Sequence, residues 1–261
     1  MAPPLRRVRD LAVYDHRNEA SGSSTRVVLV HGAMDRAAGM LRLARRMGNR
    51  EVVRYDRRGY GRSSEVDPAN SFQDHLDDLT AVIDDRPSIV FGHSYGGVIA
   101  MAAATRALAP VVGVVSFEAP RAWEPWWSKP PDRSVDPAEA AEHFLRRMIG
   151  DDLWQALPER TRIQRRSEGG SMVAELEFQA TQQYDPRLIA TPLIVGVGAL
   201  SDERAHRAAH LTVDEAVHAE LVVLQDAGHG AHMSHSAELA EIITRADPHE
   251  PPAQHSESST A

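Results

Sequence analysis

Residues 88–97 read SIVFGHSYGG and lead directly into VIAMAAATRAL. The apolar run predicts a buried strand, and the alanine-rich run after it predicts a helix. Between them, residues 92–96 match the G-x-S-x-G pattern, in which a tight turn from strand to helix exposes a serine. Gly92 and Gly96 permit close backbone approach where a side chain would collide. The stretch therefore predicts Ser94 as a nucleophile at the end of a strand, although such a turn can also be a plain connection.

Other short apolar runs follow the same scheme along the chain. They predict strands at 26–30, 52–55, 88–92, 111–117, 192–198 and 219–224, with an edge strand within 5–16. Helical spacing of apolar residues predicts helices at 36–47, 72–84, 95–108, 203–217 and 236–245. The runs are continuous rather than alternating, as in strands buried on both faces. The sequence therefore predicts an α/β fold, with a mostly parallel central sheet and helices on both faces.

The strand and helix alternation is interrupted once, and this predicts the domain organisation. Residues 1–119 and 191–245 are expected to form the two parts of one core. Residues 120–190 are largely helical in pattern and predict an inserted helical cap. Residues 246–261 are polar and rich in proline, so they predict a disordered tail.

Composition excludes several classes of function. The chain has 261 residues and a formal net charge of −8, which argues against a broad nucleic-acid surface. It contains no cysteine, which rules out disulfides and thiolate chemistry. No signal peptide or transmembrane stretch is apparent, so we expect a cytoplasmic protein without a membrane partner. The oligomeric state stays open, a homodimer included.

A second motif carries a family resemblance. Residues 56–63 read DRRGYGRS, directly after a predicted strand. With the serine turn, this loop resembles the D-x-R-G-x-G-x-S loop of the α/β-hydrolase family, and the resemblance covers nearly the whole chain. It implies the α/β-hydrolase fold with a small cap. It also implies that Asp56, Arg58 and Ser63 belong to the scaffold rather than to the chemistry.

The loop after the first parallel strand predicts an oxyanion hole. His31-Gly32-Ala33 follows RVVLV at a place where a backbone N–H can face the nucleophile. We expect the backbone N–H groups of Ala33 and Tyr95 to bind the developing oxyanion together.

His229 is the expected general base, since Gly228-His229-Gly230 follows the last strand, where the resembled family has its catalytic histidine. Its position after Ser94 fits the chain order of this family. The alternatives are His31, His93, His232 and His235. The spacing of the histidines after residue 228 could suggest a metal site, but no carboxylate at helical spacing completes a ligand set. We therefore expect no metal and no cofactor.

The third member of the triad has more than one candidate. Most relatives carry an acid after the next-to-last strand, commonly as Gly-x-x-Asp, but here that place holds Ser201, and Asp202 is one residue late. Glu118 instead ends the strand before it, where catalytic groups gather in open parallel sheets. This resembles the branch of the family that includes zearalenone lactonase. Glu118 is favoured, Asp202 stays open, and Asp226 is a distant third.

The predicted cap contains all four tryptophans of the chain, Trp123, Trp126, Trp127 and Trp154, together with Phe144 and Met148. An apolar roof over Ser94 is expected, with Trp123, Trp126, Met148 and Trp154 as candidate substrate-binding residues. These aromatic side chains could equally hold the cap to the core.

Together these features predict a serine hydrolase that cleaves a carboxylic ester or lactone of a small hydrophobic substrate through an acyl-enzyme. A serine nucleophile disfavours the family branches that need a carboxylate there. Acyl transfer, perhydrolysis and carbon–carbon bond hydrolysis use the same residues and stay open. A ligand receptor with a nearly idle triad, or an inactive interaction module, are the alternatives outside catalysis.

Overall fold

An eight-stranded sheet forms the centre of the protein in the computed structural model, which describes residues 5–16, 25–132 and 134–249. The strands are β1 (Leu5–Val8), β2 (Leu11–His16), β3 (Arg26–Val30), β4 (Val52–Tyr55), β5 (Ser88–His93), β6 (Val111–Phe117), β7 (Leu193–Gly198) and β8 (Ala219–Leu224). Their order is β1-β2-β4-β3-β5-β6-β7-β8. β1 and β2 pair antiparallel, as do β2 and β4, and all other neighbours are parallel. The predicted mostly parallel sheet is confirmed.

Helices connect these strands. They are α1 (Leu41–Arg46), α2 (Phe72–Ile83), α3 (Tyr95–Arg106), α4 (Pro137–Ile149), α5 (Asp151–Ala156), α6 (Glu159–Ser167), α7 (Gly169–Phe178), α8 (Glu203–Glu215), α9 (Ala231–Ser234) and α10 (Ser236–Arg245). Short 3₁₀ turns occur at Gly61–Ser63 and Pro186–Leu188. Within the described ranges, no helix is both long enough and apolar enough to span a bilayer.

The two faces of the sheet are covered by different helices, and successive strand residues alternate between them. Val28 and Val30 belong to an apolar cluster with residues of α2, α3 and α8, whereas Val27 and Leu29 belong to a second cluster with residues of α1 and α10. This is the period-two alternation of a strand with apolar contacts on both sides. The predicted helices on both faces are confirmed.

Two predicted elements differ from the structure. The helix expected at 36–47 is shortened to α1, because residues 33–40 form turns whose Ala37 N–H donates to Asp56 instead of to a helix carbonyl. β8 was expected to be buried but lies at the edge of the sheet, so Val223 on it is exposed.

The segment between β6 and β7 contains helices α4 to α7 and an apolar cluster of its own. The cluster is built around Trp154, Leu145 and Met172. It also includes Met34 and Tyr60, which follow β3 and β4. The insertion is therefore packed directly onto loops at the carboxyl edge of the sheet.

The C-terminal end of the described chain is held against the core. Ala246 and Asp247 are buried, and Asp247 pairs with Arg50 at 2.7 Å. Residues 246 and 247, the start of the predicted tail, are thus packed, whereas residues 248 and 249 are exposed. Residues 250–261, its larger part, lie outside the described residues.

Backbone contact around Gly92 and Gly96 sets how closely α3 approaches the sheet. A Cβ atom at Gly92 would overlap the backbone of Gly96, and a Cβ atom at Gly96 would overlap the carbonyl oxygen of Val30. Because backbone atoms cannot move aside like the end of a flexible side chain, β3, β5 and α3 meet at a distance that only glycine permits.

Gly92→Ala is expected to lower the free energy of unfolding by at least about 1–3 kcal/mol, because the added methyl group overpacks a rigid backbone contact. Gly170→Ala is the matched control, since Gly170 is exposed in α7 with open space around it. There alanine should stabilise by up to about 1 kcal/mol through helix propensity. Urea unfolding measures both changes, and equal stabilities would contradict the contact.

Candidate active site

Ser94 lies at the turn between β5 and α3 in a backbone conformation that non-glycine residues rarely adopt. Its φ is 53° and its ψ is −121°. Its N–H donates to the Phe117 carbonyl at 2.8 Å, which fixes the turn against β6. Backbone strain of this kind persists only where the surroundings impose it, and it is frequent at catalytic positions. The Ser94 side chain is half-buried at the wall of a cavity.

His229 and Glu118 form the central polar contact of this cavity. His229 Nδ1 is 2.7 Å from Glu118 Oε2. Since a carboxylate only accepts, Nδ1 carries the proton and donates it, which leaves Nε2 as the bare nitrogen. This is the tautomer that a general base requires.

Glu118 accepts two further hydrogen bonds, both from the region after β7. The Gly198 N–H donates to Oε1 at 2.9 Å, and the Ser201 hydroxyl donates to the same oxygen. Burial raises the pKa of Glu118, but the hydrogen bonds from His229, Ser201 and Gly198 outweigh it and hold the pKa below its ordinary value. Glu118 is therefore a carboxylate at neutral pH. Its φ of 51° shows a second strained position beside Ser94.

The other two acid candidates make different contacts, although Asp202 also lines the cavity. Asp202 caps the N-terminus of α8 by accepting from the Ala205 N–H at 2.9 Å, and it pairs with Arg204. Its side chain is 57% exposed. Asp226 is exposed as well. Of the candidates, Glu118 is the one whose carboxylate contacts His229.

Ser94 and His229 face the same cavity, which encloses about 870 Å³. Within the described ranges, no hydrogen bond joins the Ser94 hydroxyl to the His229 imidazole. Such bonds are often long without substrate and shorten in the Michaelis complex. Ser94 and His229 thus line one cavity without a hydrogen bond between their side chains.

Two backbone N–H groups are available beside Ser94. Ala33 and Tyr95 both line the cavity, and none of the described residues accepts a hydrogen bond from either N–H. Tyr95 begins α3, so its N–H is one of the free donors that every helix start leaves. Ala33 and Tyr95 therefore offer two backbone N–H donors on the cavity that Ser94 lines.

The peptide unit between Gly32 and Ala33 is fixed by hydrogen bonds to its carbonyl oxygen. Its carbonyl oxygen, on Gly32, accepts from His31 Nδ1 at 2.8 Å and from Arg57 Nη2 at 2.9 Å. His31 Nε2 accepts from the Arg57 N–H, and burial lowers the pKa of His31 to about 3, so the ring is neutral. In a trans peptide the carbonyl and the N–H point in opposite directions. Fixing the Gly32 carbonyl therefore fixes the direction of the Ala33 N–H.

Arg57 is itself fixed by a carboxylate of the insertion. Glu175 on α7 accepts from both terminal nitrogens of Arg57, and its Oε2 also accepts from the Tyr60 hydroxyl at 2.8 Å. Arg57 and Glu175 are both almost fully buried. Burial alone would lower the pKa of Arg57, but Glu175 raises it above its ordinary value, so the guanidinium stays charged.

A comparison with protein-family profiles identifies the family of the chain. The profile described as "Alpha/beta hydrolase family" matches residues 27–242. The chain belongs to the α/β-hydrolase family. No curated protein sequence matches this α/β-hydrolase.

Solved structures share its fold at low sequence identity. An α/β hydrolase from Sphaerobacter thermophilus DSM 20745 has a TM-score of 0.70 and 22% identity, over 92% of this chain and 100% of that one. The enol-lactonase from Burkholderia xenovorans LB400 has a TM-score of 0.69 and 17% identity, covering 93% and 99%. A thermophilic esterase from Thermogutta terrifontis has a TM-score of 0.65 and 17% identity, covering 93% and 97%.

The cavity of this α/β-hydrolase is lined in part by the insertion. Of the predicted substrate-binding residues, Met148 faces it. Other side chains that were not predicted to bind substrate line the cavity as well. They are Trp127, Lys129, Val135, His143, Phe144, Arg147 and Leu176.

Three predicted substrate-binding residues do not line the cavity. Trp154 is fully buried, and its Nε1–H donates to Glu142 inside the insertion. Trp123 packs edge-on against Tyr184, and Trp126 lies against Trp127 and Arg207. These aromatic side chains lie away from the cavity because they hold the insertion together and against the core.

The scaffold residues of the Asp56 loop lie as the resemblance implies. Asp56 accepts from the N–H groups of Ala37 and Arg62, and the Ser63 hydroxyl donates to the Asp56 carbonyl. Arg58 makes a two-pronged ion pair with Asp78 on α2. None of these three predicted scaffold residues is among the cavity lining.

Sequence reasoning missed Ser201, Arg57 and Glu175 as parts of the site. Ser201 was noticed as the residue replacing an expected aspartate, and its contact with Glu118 explains that replacement. Arg57 and Glu175 are 118 residues apart, and no local pattern links them.

Glu175→Gln should lower the free energy of unfolding by about 3–5 kcal/mol, because it leaves the buried Arg57 charge without a partner. Asp185→Asn is the control, since it breaks an exposed ion pair with Arg187 and should leave the unfolding midpoint unchanged. Chemical denaturation of both variants tests this. A Glu175→Gln midpoint equal to wild type would show that Arg57 does not depend on this carboxylate.

Proposed function

We propose that the protein is a serine hydrolase that cleaves a carboxylic ester or lactone of a small, largely apolar compound through Ser94, His229 and Glu118. The observation that carries the proposal is the 2.7 Å contact between His229 Nδ1 and Glu118 Oε2, on the same cavity as the strained Ser94. Family membership and neighbours that are named as an esterase and an enol-lactonase support the reaction class.

The proposed reaction has two halves. His229 Nε2 takes the Ser94 proton as Oγ bonds to the substrate carbonyl carbon, and the protonated imidazole then gives that proton to the departing alkoxide. Water, activated by the same nitrogen, attacks the acyl-enzyme, releases the acid and restores Ser94. In a lactone the alkoxide stays attached to the acid product. Glu118 holds the imidazole tautomer and stabilises the imidazolium.

The oxyanion in both halves would bind to the N–H groups of Ala33 and Tyr95. Fixed donors of this kind are effective because they need no reorientation as charge develops. The clamp on the Gly32 carbonyl by His31 and Arg57 supports this assignment. Arg57 is a positioning residue here, since it contacts the peptide and not the substrate.

The lining favours a substrate with an apolar body. Phe144, Met148, Leu176 and Trp127 supply apolar wall, and 870 Å³ lies within the usual range for a small-molecule site. Arg147 and Lys129 line the cavity as well, so a polar or anionic group on the substrate would be accommodated. Low sequence identity to the neighbours leaves the choice between ester and lactone to the activity assay.

Substitution of the triad tests the assignment of its acid. Ser94→Ala should reduce kcat by roughly 10⁴-fold or more, and Glu118→Gln by at least about 100-fold. Asp202→Asn should keep kcat/KM within about twofold, since asparagine also caps helices. Hydrolysis of p-nitrophenyl butyrate and of a simple lactone provides the assay. The reverse ranking of the two acid variants would assign the triad acid to Asp202.

Labelling and turnover separate the enzyme from a receptor. A fluorophosphonate should label the wild type but not Ser94→Ala, and the wild type should turn over its substrate many times. A single stoichiometric burst without further turnover would instead support a ligand receptor. No labelling at all would remove the nucleophile and with it the proposed function.

A further inference from the structure

Beneath His229 lies a cluster of three side chains that the proposed reaction does not use. Asp35 follows β3, His93 ends β5, and His232 lies in α9, so the cluster joins three separate loops. One potential ligand atom from each lies within 4.8 Å of the others. His93 and His232 are 4% and 2% exposed. Two imidazoles and a carboxylate are a donor set typical of divalent transition metals.

Among the described residues, the potential ligand atoms have no hydrogen-bond partner, although two of them lie within ion-pair distance of each other. Asp35 Oδ2, His93 Nδ1 and both ring nitrogens of His232 are buried and unsatisfied. Asp35 Oδ2 and His232 Nε2 are 3.2 Å apart, but they are not aligned for a hydrogen bond. Buried polar atoms are rarely left unpaired, so several at one place point to a missing partner.

The hydrogen bond made by His93 Nε2 determines which ring nitrogen of His93 has the free lone pair. His93 Nε2 is 2.8 Å from the His229 carbonyl oxygen, and because a carbonyl only accepts, Nε2 carries the proton. His93 Nδ1 is then bare and able to bind a cation. Metal-binding histidines commonly donate their second N–H to a carbonyl in this way.

The spacing suits a tetrahedral ion. Ligand bonds of about 2.0–2.1 Å separate neighbouring donor atoms by about 3.3 Å. The distance between Asp35 Oδ2 and His232 Nε2 is 3.2 Å, close to that value. All three donor atoms lie within 4.8 Å of one another, so the widest pair is at most about 1.5 Å longer than that separation.

We propose that Asp35, His93 and His232 bind a divalent transition-metal ion such as Zn²⁺, with a water molecule as the fourth ligand. The ion would join the loop after β3, the serine turn and the loop that carries His229. Its role is structural, since Ser94 and His229 perform the proposed reaction without it. The site is therefore independent of the hydrolase proposal.

Calorimetric titration of tag-free, chelator-treated protein with Zn²⁺ tests the site. We expect about one ion per chain with a Kd in the micromolar range or tighter, and a tetrahedral absorption band when Co²⁺ replaces Zn²⁺. At a free Zn²⁺ concentration of 100 times Kd, Tm should rise by roughly 5 °C. Failure of the wild type to bind, with no change in Tm, would overturn the proposal.

Variants show which side chains bind the ion. Asp35→Asn and His232→Gln should each weaken Zn²⁺ binding at least about tenfold. Their Tm without metal is measured first, so that a misfolded variant is recognised. His235→Gln is the matched control, since His235 is a nearby histidine whose ring contacts Ser234, and it should bind normally.

His229→Gln separates this site from the active site. Its Zn²⁺ affinity should stay within about threefold of wild type if the ion sits on the buried cluster. Lost affinity in His229→Gln with unchanged affinity in Asp35→Asn would place the ion on the triad histidine instead. That result would overturn the proposed buried metal site. The hydrolase proposal is tested by separate assays and does not depend on it.

Discussion

The backbone contact among β3, β5 and α3 is the constraint on which the site depends. Gly92, Gly96 and the Val30 carbonyl meet so closely that no side chain fits between them. This proximity brings the end of β3 beside the start of α3, so Ala33 after β3 and Tyr95 at the start of α3 both line the cavity that Ser94 lines. The same tight turn forces Ser94 to a positive φ. Strain at Ser94 is thus a consequence of how the sheet and helix pack.

The acidic partner of His229 lies at the end of β6 rather than after β7. Glu118 extends from β6, one strand closer to Ser94 than β7. At the end of β7, Ser201 and the Gly198 N–H donate to the Glu118 carboxylate. A carboxylate at Ser201 would face Glu118 with like charge, which would raise a pKa that the site keeps low. Serine at this position is therefore the chemically consistent companion of glutamate after β6.

Sequence patterns predicted those features that depend on neighbouring residues in the chain. The strand, turn and helix around Ser94 are local, and so is the position of Glu118 at the end of a strand. Contacts between distant segments could not be predicted, because Arg57 and Glu175 carry no periodic signal that links them. The positions of Trp123, Trp126 and Trp154 relative to the cavity could not be predicted for a related reason. Composition places Trp154 in the insertion, but only packing decides that it lies inside the insertion rather than at the cavity.

Helix α7 couples the cavity wall to the peptide proposed to bind the oxyanion. Glu175 on this helix holds Arg57, whose guanidinium fixes the Gly32 carbonyl, while the next residue, Leu176, lines the cavity. At the start of the same helix, Glu168 accepts from Arg36 and from the Gly61 N–H. Buried charge pairs are costly to separate, so α7 cannot shift without moving these loops. In the proposed reaction, substrate contacts made by the insertion would thereby be joined to the geometry around Ser94.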